Sequence, residues 1–264
     1  MMRARLLSFE IGFTAFVILA HLAIALGPRE GILWWFRADD AFYYFKTAQN
    51  IAEGFGSTFD RLELTNGYHP LWMAICIPIF SLARYDLWLP LRLVVVLAGM
   101  LNAGSGVLLY SMIAKNSTPA VGAVTAVFWS LWPAVHNTTT QLGMENALNA
   151  FLLTLNVFLV FRLSSGPPLT RRQVLVVAVS LTLLVLARLD NIFVATLLGL
   201  GVVFTGNPYR SRLLLNIAVT GLSLVLAVLL RLGPAAIPGF KTGISIVLAS
   251  SVLIKPLTLV LVSR

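Results

Sequence analysis

The chain has 264 residues, 58% of them hydrophobic and 11% charged, with mean hydropathy +0.89 and a formal net charge of +9. Soluble domains carry about a quarter charged residues, so an ordinary soluble domain is excluded and an all-α, polytopic helical membrane protein is expected. The basic balance does not call for nucleic acid, because membrane proteins collect Lys and Arg in cytoplasmic loops, and the single cysteine, Cys76, cannot form an internal disulfide.

The N-terminus, MMRARLLSFEIGFTAFVILAHLAIALG, has a basic start and a long apolar body. It reads as an uncleaved signal-anchor helix with Arg3 and Arg5 in the cytoplasm. A span needs about 20 apolar residues. On that measure the sequence predicts about eight: 8–27, 93–113, 118–138, 144–163, 173–189, 191–206, 213–231 and 243–262. The apolar run 70–84 is short for a span and is expected to be re-entrant or interfacial. Arg162, Arg171, Arg172, Arg210, Arg212 and Lys115 lie in loops without acidic residues, so those loops read as cytoplasmic. Alternation then puts the 38–72 loop, Glu145, Arg188, Asp190 and Lys241 together on the outer side. His21 and His136 read as membrane-interface residues.

Between the first two long apolar runs lies ADDAFYYFKTAQNIAEGFGSTFDRLELTNGYHPLW, residues 38–72, which holds five of the ten acidic residues and many aromatics. Disordered segments are poor in aromatics, so an ordered loop is expected. Asp39 or Asp40 can N-cap a helix through Ala52, with Gly54 and Gly56 to end it. Thr65-Asn66-Gly67 predicts a tight turn, and Pro70 starts the next helix where its missing N–H costs nothing.

The acidic pair in ADDAFYYFKTAQNIAEG, followed by TNGYHPLW, resembles the first extracytoplasmic loop of membrane glycosyltransferases of the GT-C fold. That group includes protein mannosyltransferases and the aminoarabinose transferase of lipid A. The resemblance implies a GT-C-like transmembrane module over residues 1–264, with 28–69 as its ordered first extracytoplasmic loop. It implies that one carboxylate of the pair is the catalytic base, Asp39 first and Asp40 second. The competing reading of the pair is a helix N-cap with a solvated neighbour.

Six further residues are candidates for substrate binding. His69 is either a phosphate or hydroxyl contact or a structural hydrogen bond that fixes the loop. Arg92, in LPLRLVVVLAG, sits where similar enzymes meet the lipid phosphate; otherwise it snorkels to the interface. Glu145 lies in QLGMEN, where similar enzymes have Gly-(Leu or Met)-Glu-Thr; Asn146 stands for the Thr, and the plain alternative is a helix-start carboxylate favoured by the dipole. Arg188 and Asp190 lie in LARLDNIF, where those enzymes have Arg-Pro-Asp-Gly; the alternative is a mutual ion pair. Lys241, in AAIPGFKTG, loosely matches a Pro-x-Ser-Gly-x-x-Lys pattern, and a plain interfacial lysine is the favoured reading.

The resemblance implies an inverting glycosyltransferase in a bacterial inner (plasma) membrane with its active face outward. Its donor would be a polyprenyl-phosphate sugar and its acceptor a lipid, glycan or protein. No cofactor is required, and a divalent metal is compatible without being called for. The chain stops directly after an apolar run, so a C-terminal acceptor-binding region is expected to be absent. A lipid-linked-sugar flippase or transporter is the alternative. It would place charges at mid-bilayer in related halves, whereas here charges gather on one side and no halves repeat.

Overall fold

The computed structural model describes residues 2–164 and 170–204. All the regular elements among them are helical: α1 (Met2–Ala25), α2 (Arg29–Trp35), α3 (Asp40–Ala52), α4 (Pro70–Phe80), α5 (Trp88–Asn116), α6 (Pro119–Leu131), α7 (Pro133–Thr139), α8 (Asn146–Ser164), α9 (Arg171–Ala187) and α10 (Asn191–Phe204). A 3₁₀ turn, Ser81–Arg84, follows α4, and one isolated antiparallel bridge joins Thr58 to Leu64. The expected spans at 213–231 and 243–262, and Lys241, lie outside the described residues.

The long helix α5 is the post of the bundle, with α1, α6 and α8 packed on it and α9 on α8. Apolar helices in lipid gain little from hydrophobicity when they meet, so small residues at the contact decide how closely they approach. A side chain on Gly99 would stand 2.5 Å from His21 of α1, one on Gly104 2.8 Å from Phe151 of α8, and one on Gly106 2.6 Å from Phe13. Those three glycines are where the neighbours fit. Polar pairs add direction: Ser180 of α9 donates to Asn156 Oδ1 of α8 at 2.9 Å, and Asn156 Nδ2 donates back to the Ser180 carbonyl at 3.1 Å.

Among the described residues two helices are long and apolar enough to cross a membrane, Trp88–Asn116 and Asn146–Leu163; the number is three if Phe9–Ala25 and Arg29–Trp35, bent by 119°, count as one. The run 70–84 is one of the shorter apolar helices. The segment 118–138 is not one continuous helix. α6 stops at Leu131 and α7 restarts at Pro133, because proline has no N–H for the preceding turn and forces Trp132 into an extended conformation (φ −64°, ψ 121°).

The 38–72 segment is ordered. α3 is amphipathic, with Ala41, Tyr44, Phe45 and Ala48 buried at helical spacing. Phe45 stacks on Phe80 of the α4 segment at 4.6 Å. Gly54 and Gly56 take positive φ after the helix, and Pro70 opens α4. The tight turn is not at Thr65-Asn66-Gly67. It lies at Asp60-Arg61, where Asp60 Oδ1 accepts the N–H groups of Leu62 (2.9 Å) and Glu63 (3.1 Å). Arg61 has φ +66° and is held there by Asn50 Oδ1 (3.0 Å), Glu53 (2.6 Å) and the face of Phe55. Thr65 is instead fixed by the Tyr43 hydroxyl.

Candidate functional site

Four helices begin directly after an ionisable residue that the sequence singles out. α3 follows Asp39, α4 follows His69, α8 follows Glu145 and α10 follows Asp190. N-terminal N–H groups and the helix dipole make such ends favourable for negative charge. The backbone carbonyls of His69 and Glu145 accept the first bonds of α4 and α8, from Met73 at 3.1 Å and Asn149 at 2.7 Å.

The centre is Glu145, 2% exposed. Its Oε1 lies 3.5 Å from His69 Nε2 and 4.0 Å from Arg188 Nε. Arg188, at the C-terminus of α9, turns a two-pronged fork to Asp190, with Nε and a terminal nitrogen each 3.2 Å from a carboxylate oxygen. Tyr44 of α3 reaches the same place: its hydroxyl accepts the His69 backbone N–H at 2.9 Å. Burial, and then the neighbouring Glu145 charge, raise the Tyr44 phenol above its ordinary range, although the His69 N–H works against them. Tyr44 therefore remains a neutral donor beside the carboxylate.

Two atoms of this group, His69 Nδ1 and Glu145 Oε2, are buried and have no hydrogen-bond partner among the described residues. Thr47 Oγ1 of α3 and Trp72 Nε1 of α4 are in the same condition. Buried polar atoms are normally paired, and the orphans of His69 and Glu145, which lie against each other, mark a place suited to a polar ligand.

What holds Glu145 is the strand of chain before it. The Arg37 N–H donates to the Gln141 carbonyl at 2.8 Å, and Arg37 Nε donates to Gln141 Oε1 at 2.7 Å. Gly143 has φ +70°, and a Cβ there would stand 2.6 Å from Phe36 and 2.8 Å from Ala41. The 141–143 loop thus lies against the residues on both sides of Asp39-Asp40, and two residues later the chain reaches Glu145.

The structure brings together His69, Glu145, Arg188 and Asp190. It sets Asp39 and Asp40 beside the loop that leads into Glu145, but exposed, and the Asp39 side chain does not cap α3. That corrects the N-cap expectation: Asp39 itself has helical φ and ψ (−61°, −33°), which points its carboxylate away from the N–H groups a cap must reach. Arg92 is half-buried one turn below Trp88, whose ring carries Arg29 at 5.2 Å. Arg92 Nε is unpartnered, and no hydrogen bond or ion pair among the described residues joins it to the Glu145 group. The described residues include no group of three or more His, Cys, Asp or Glu arranged to hold a metal.

Sequence reasoning gave no role to Tyr44, Arg37 or Gln141, and met Gly143 only as part of the QLGMEN motif. Tyr44 was legible only as one aromatic among many, and the glycine two residues before Glu145 was the one local signal of a forced turn. His21 packs inside the bundle, 4% exposed and wedged against Gly99. No protein-family model, curated protein or solved structure matches the chain.

Proposed function

We propose that this chain is an inverting glycosyltransferase that moves a sugar from a polyprenyl-phosphate donor to a lipid, glycan or protein acceptor. The observation that carries the reading is the meeting of His69, Glu145, Arg188 and Asp190 at the end of an apolar bundle where the first polar loop folds. The resemblance of that loop to GT-C enzymes supplies the reaction class. Asp39, with Asp40 second, takes the proton of the acceptor hydroxyl as its oxygen attacks the anomeric carbon. The bond from that carbon to the phosphate oxygen breaks on the opposite face, and the phosphate leaves with the electron pair. Arg188 and Arg92 are the contacts for the departing phosphate, since a guanidinium fork matches its oxygens. Glu145 and His69 bind sugar or acceptor hydroxyls through their unpartnered atoms.

In this reading the module has about eight spans in a bacterial inner membrane, with the Glu145 end outward. Basic residues in loops without acidic ones support the orientation. Lys115 ends α5, Arg162 lies in the last turn of α8 and Arg171 opens α9, all at the end away from Glu145.

The second reading is a lipid-linked-sugar flippase or transporter. It is favoured by the interrupted helices α1–α2 and α6–α7, with His21, Asn102 and Ser130 buried between them. Reconstitution of the full chain in nanodiscs and in proteoliposomes with a radiolabelled polyprenyl-phosphate sugar separates the two. The enzyme reading expects the sugar to leave the lipid in nanodiscs, where no second compartment exists. Movement of intact donor between leaflets, with no loss of sugar, would replace it by the transporter.

A further inference from the structure

We propose that His21, Trp35, Asn102, Ser130 and His136 form a buried water-binding site that joins α1, α2, α5, α6 and α7, separate from the Glu145 group. The three rings stand in a triangle, with centroids 5.4 Å (His21 to Trp35), 5.5 Å (His21 to His136) and 5.4 Å (Trp35 to His136) apart. Ser130 ties in the other two elements. Its carbonyl accepts from Asn102 Nδ2 at 3.2 Å and from His136 Nδ1 at 2.9 Å. The break at Pro133 accounts for that double capping: Ser130 is in the last turn of α6, and its carbonyl is one that the interrupted helix leaves without a helical partner.

Four side-chain atoms in this cluster have no partner among the described residues: His21 Nε2, Trp35 Nε1, Asn102 Oδ1 and Ser130 Oγ. All four residues are more than nine-tenths buried, at 4%, 7%, 3% and 0% exposure. Their hydrogen-bonding roles are fixed by the bonds already made. His21 Nδ1 lies 2.8 Å from the Val17 carbonyl, which can only accept, so Nδ1 carries the proton and Nε2 of the neutral ring is an acceptor. Asn102 spends its amide N–H on Ser130 and keeps Oδ1 as an acceptor. The Trp35 indole can only donate, and the Ser130 hydroxyl can donate as well as accept.

Two acceptors and two donors are the complement of bound water, each molecule of which donates twice and accepts twice. A cation is disfavoured by the indole N–H, and an anion by His21 Nε2 and Asn102 Oδ1. Buried waters typically serve such groups, with two to four bonds each. The site carries polar order into the depth of the bundle, where α6 gives way to α7.

The test follows the Trp35 indole proton by NMR, with the full chain in nanodiscs and tryptophan labelled with nitrogen-15; Trp35→Phe assigns the signal. The expected result is a cross-peak between that proton and water in the wild type. In Ser130→Ala and in Asn102→Leu that cross-peak should weaken, since losing one ordinary hydrogen bond lowers the water's binding constant by about fivefold. A density map of the wild-type chain at a resolution that shows ordered water gives a reading independent of any variant: ordered water within hydrogen-bond reach of these atoms supports the proposal. An indole without a water cross-peak, wild-type intensity in both variants, or density for a lipid head group or an ion at that place would overturn it.

Discussion

Glu145 sits at the start of a helix, almost fully buried, with a histidine and an arginine sharing one of its oxygens. A carboxylate so placed is tolerable because its partners and the α8 N-terminus offset the loss of water. The residue that sets its position is Gly143. Gly143→Ala adds a Cβ that needs a left-handed backbone and overlaps Phe36 and Ala41. The expected loss is about 2–4 kcal/mol, combining the left-handed penalty with overpacking. A thermal or denaturant unfolding series in detergent reads it, and a change under about 0.5 kcal/mol, within the range of an ordinary surface substitution, would mean that the loop simply shifts. Asp60 makes a second prediction. The N–H groups of Leu62 and then Glu63 hold its carboxyl below the usual carboxylate range. A depressed folded value contributes stability above the unfolded value, near pH 4, and loses it as pH falls through the folded one. The amide signals of Leu62 and Glu63 should therefore move together on acidification below about pH 4. In Asp60→Ala that transition should be missing.

At the scale of elements, α8 and α9 are tied by the reciprocal Asn156–Ser180 pair, buried among apolar neighbours. Asn156→Leu leaves Ser180 without its side-chain partner, and about 1–2 kcal/mol of α8–α9 docking should be lost. A steric-trap or detergent unfolding measurement checks it; an unchanged midpoint would show that packing alone sets the contact. Which elements were legible depended on how local their causes are. The start of α4 at Pro70, the end of α3 before Gly54 and the short length of 70–84 follow from a few adjacent residues. The α6–α7 break was not read, because the apolar run before Pro133 and the Ala134-Val135 pair after it hide it from hydropathy. The Asp60-Arg61 turn was missed because an arginine at positive φ has no sequence signal. It depends on Asn50, Glu53 and Phe55, which the fold brings to it. The packing of His21 was not legible because its partner, Gly99, lies on another helix. The site followed the same rule: His69, Glu145, Arg188 and Asp190 could each be picked out along the chain, while Tyr44 and Gln141 gained meaning only from contacts across it.

At the scale of the whole molecule, α1, α8 and α9 alternate in direction around α5, with α6 and α7 as one interrupted return. The helix ends next to Asp39, His69, Glu145 and Asp190 collect at one end, and Lys115, Arg162 and Arg171 lie at the other. The proposed transfer chemistry requires that asymmetry, since the lipid-linked donor must present its phosphate to one surface of the bundle. The most direct measurement is sugar transfer from a polyprenyl-phosphate donor in nanodiscs by Asp39→Asn, with donor binding followed in parallel and Asp40→Asn alongside. Loss of the base should lower turnover by about two to four orders of magnitude while folding and donor binding stay near those of the wild type. Since the Asp39 side chain does not cap α3, a purely structural explanation predicts little change in either. Retention of most of the wild-type turnover by both variants would contradict the account, because neither carboxylate would then be taking the acceptor's proton.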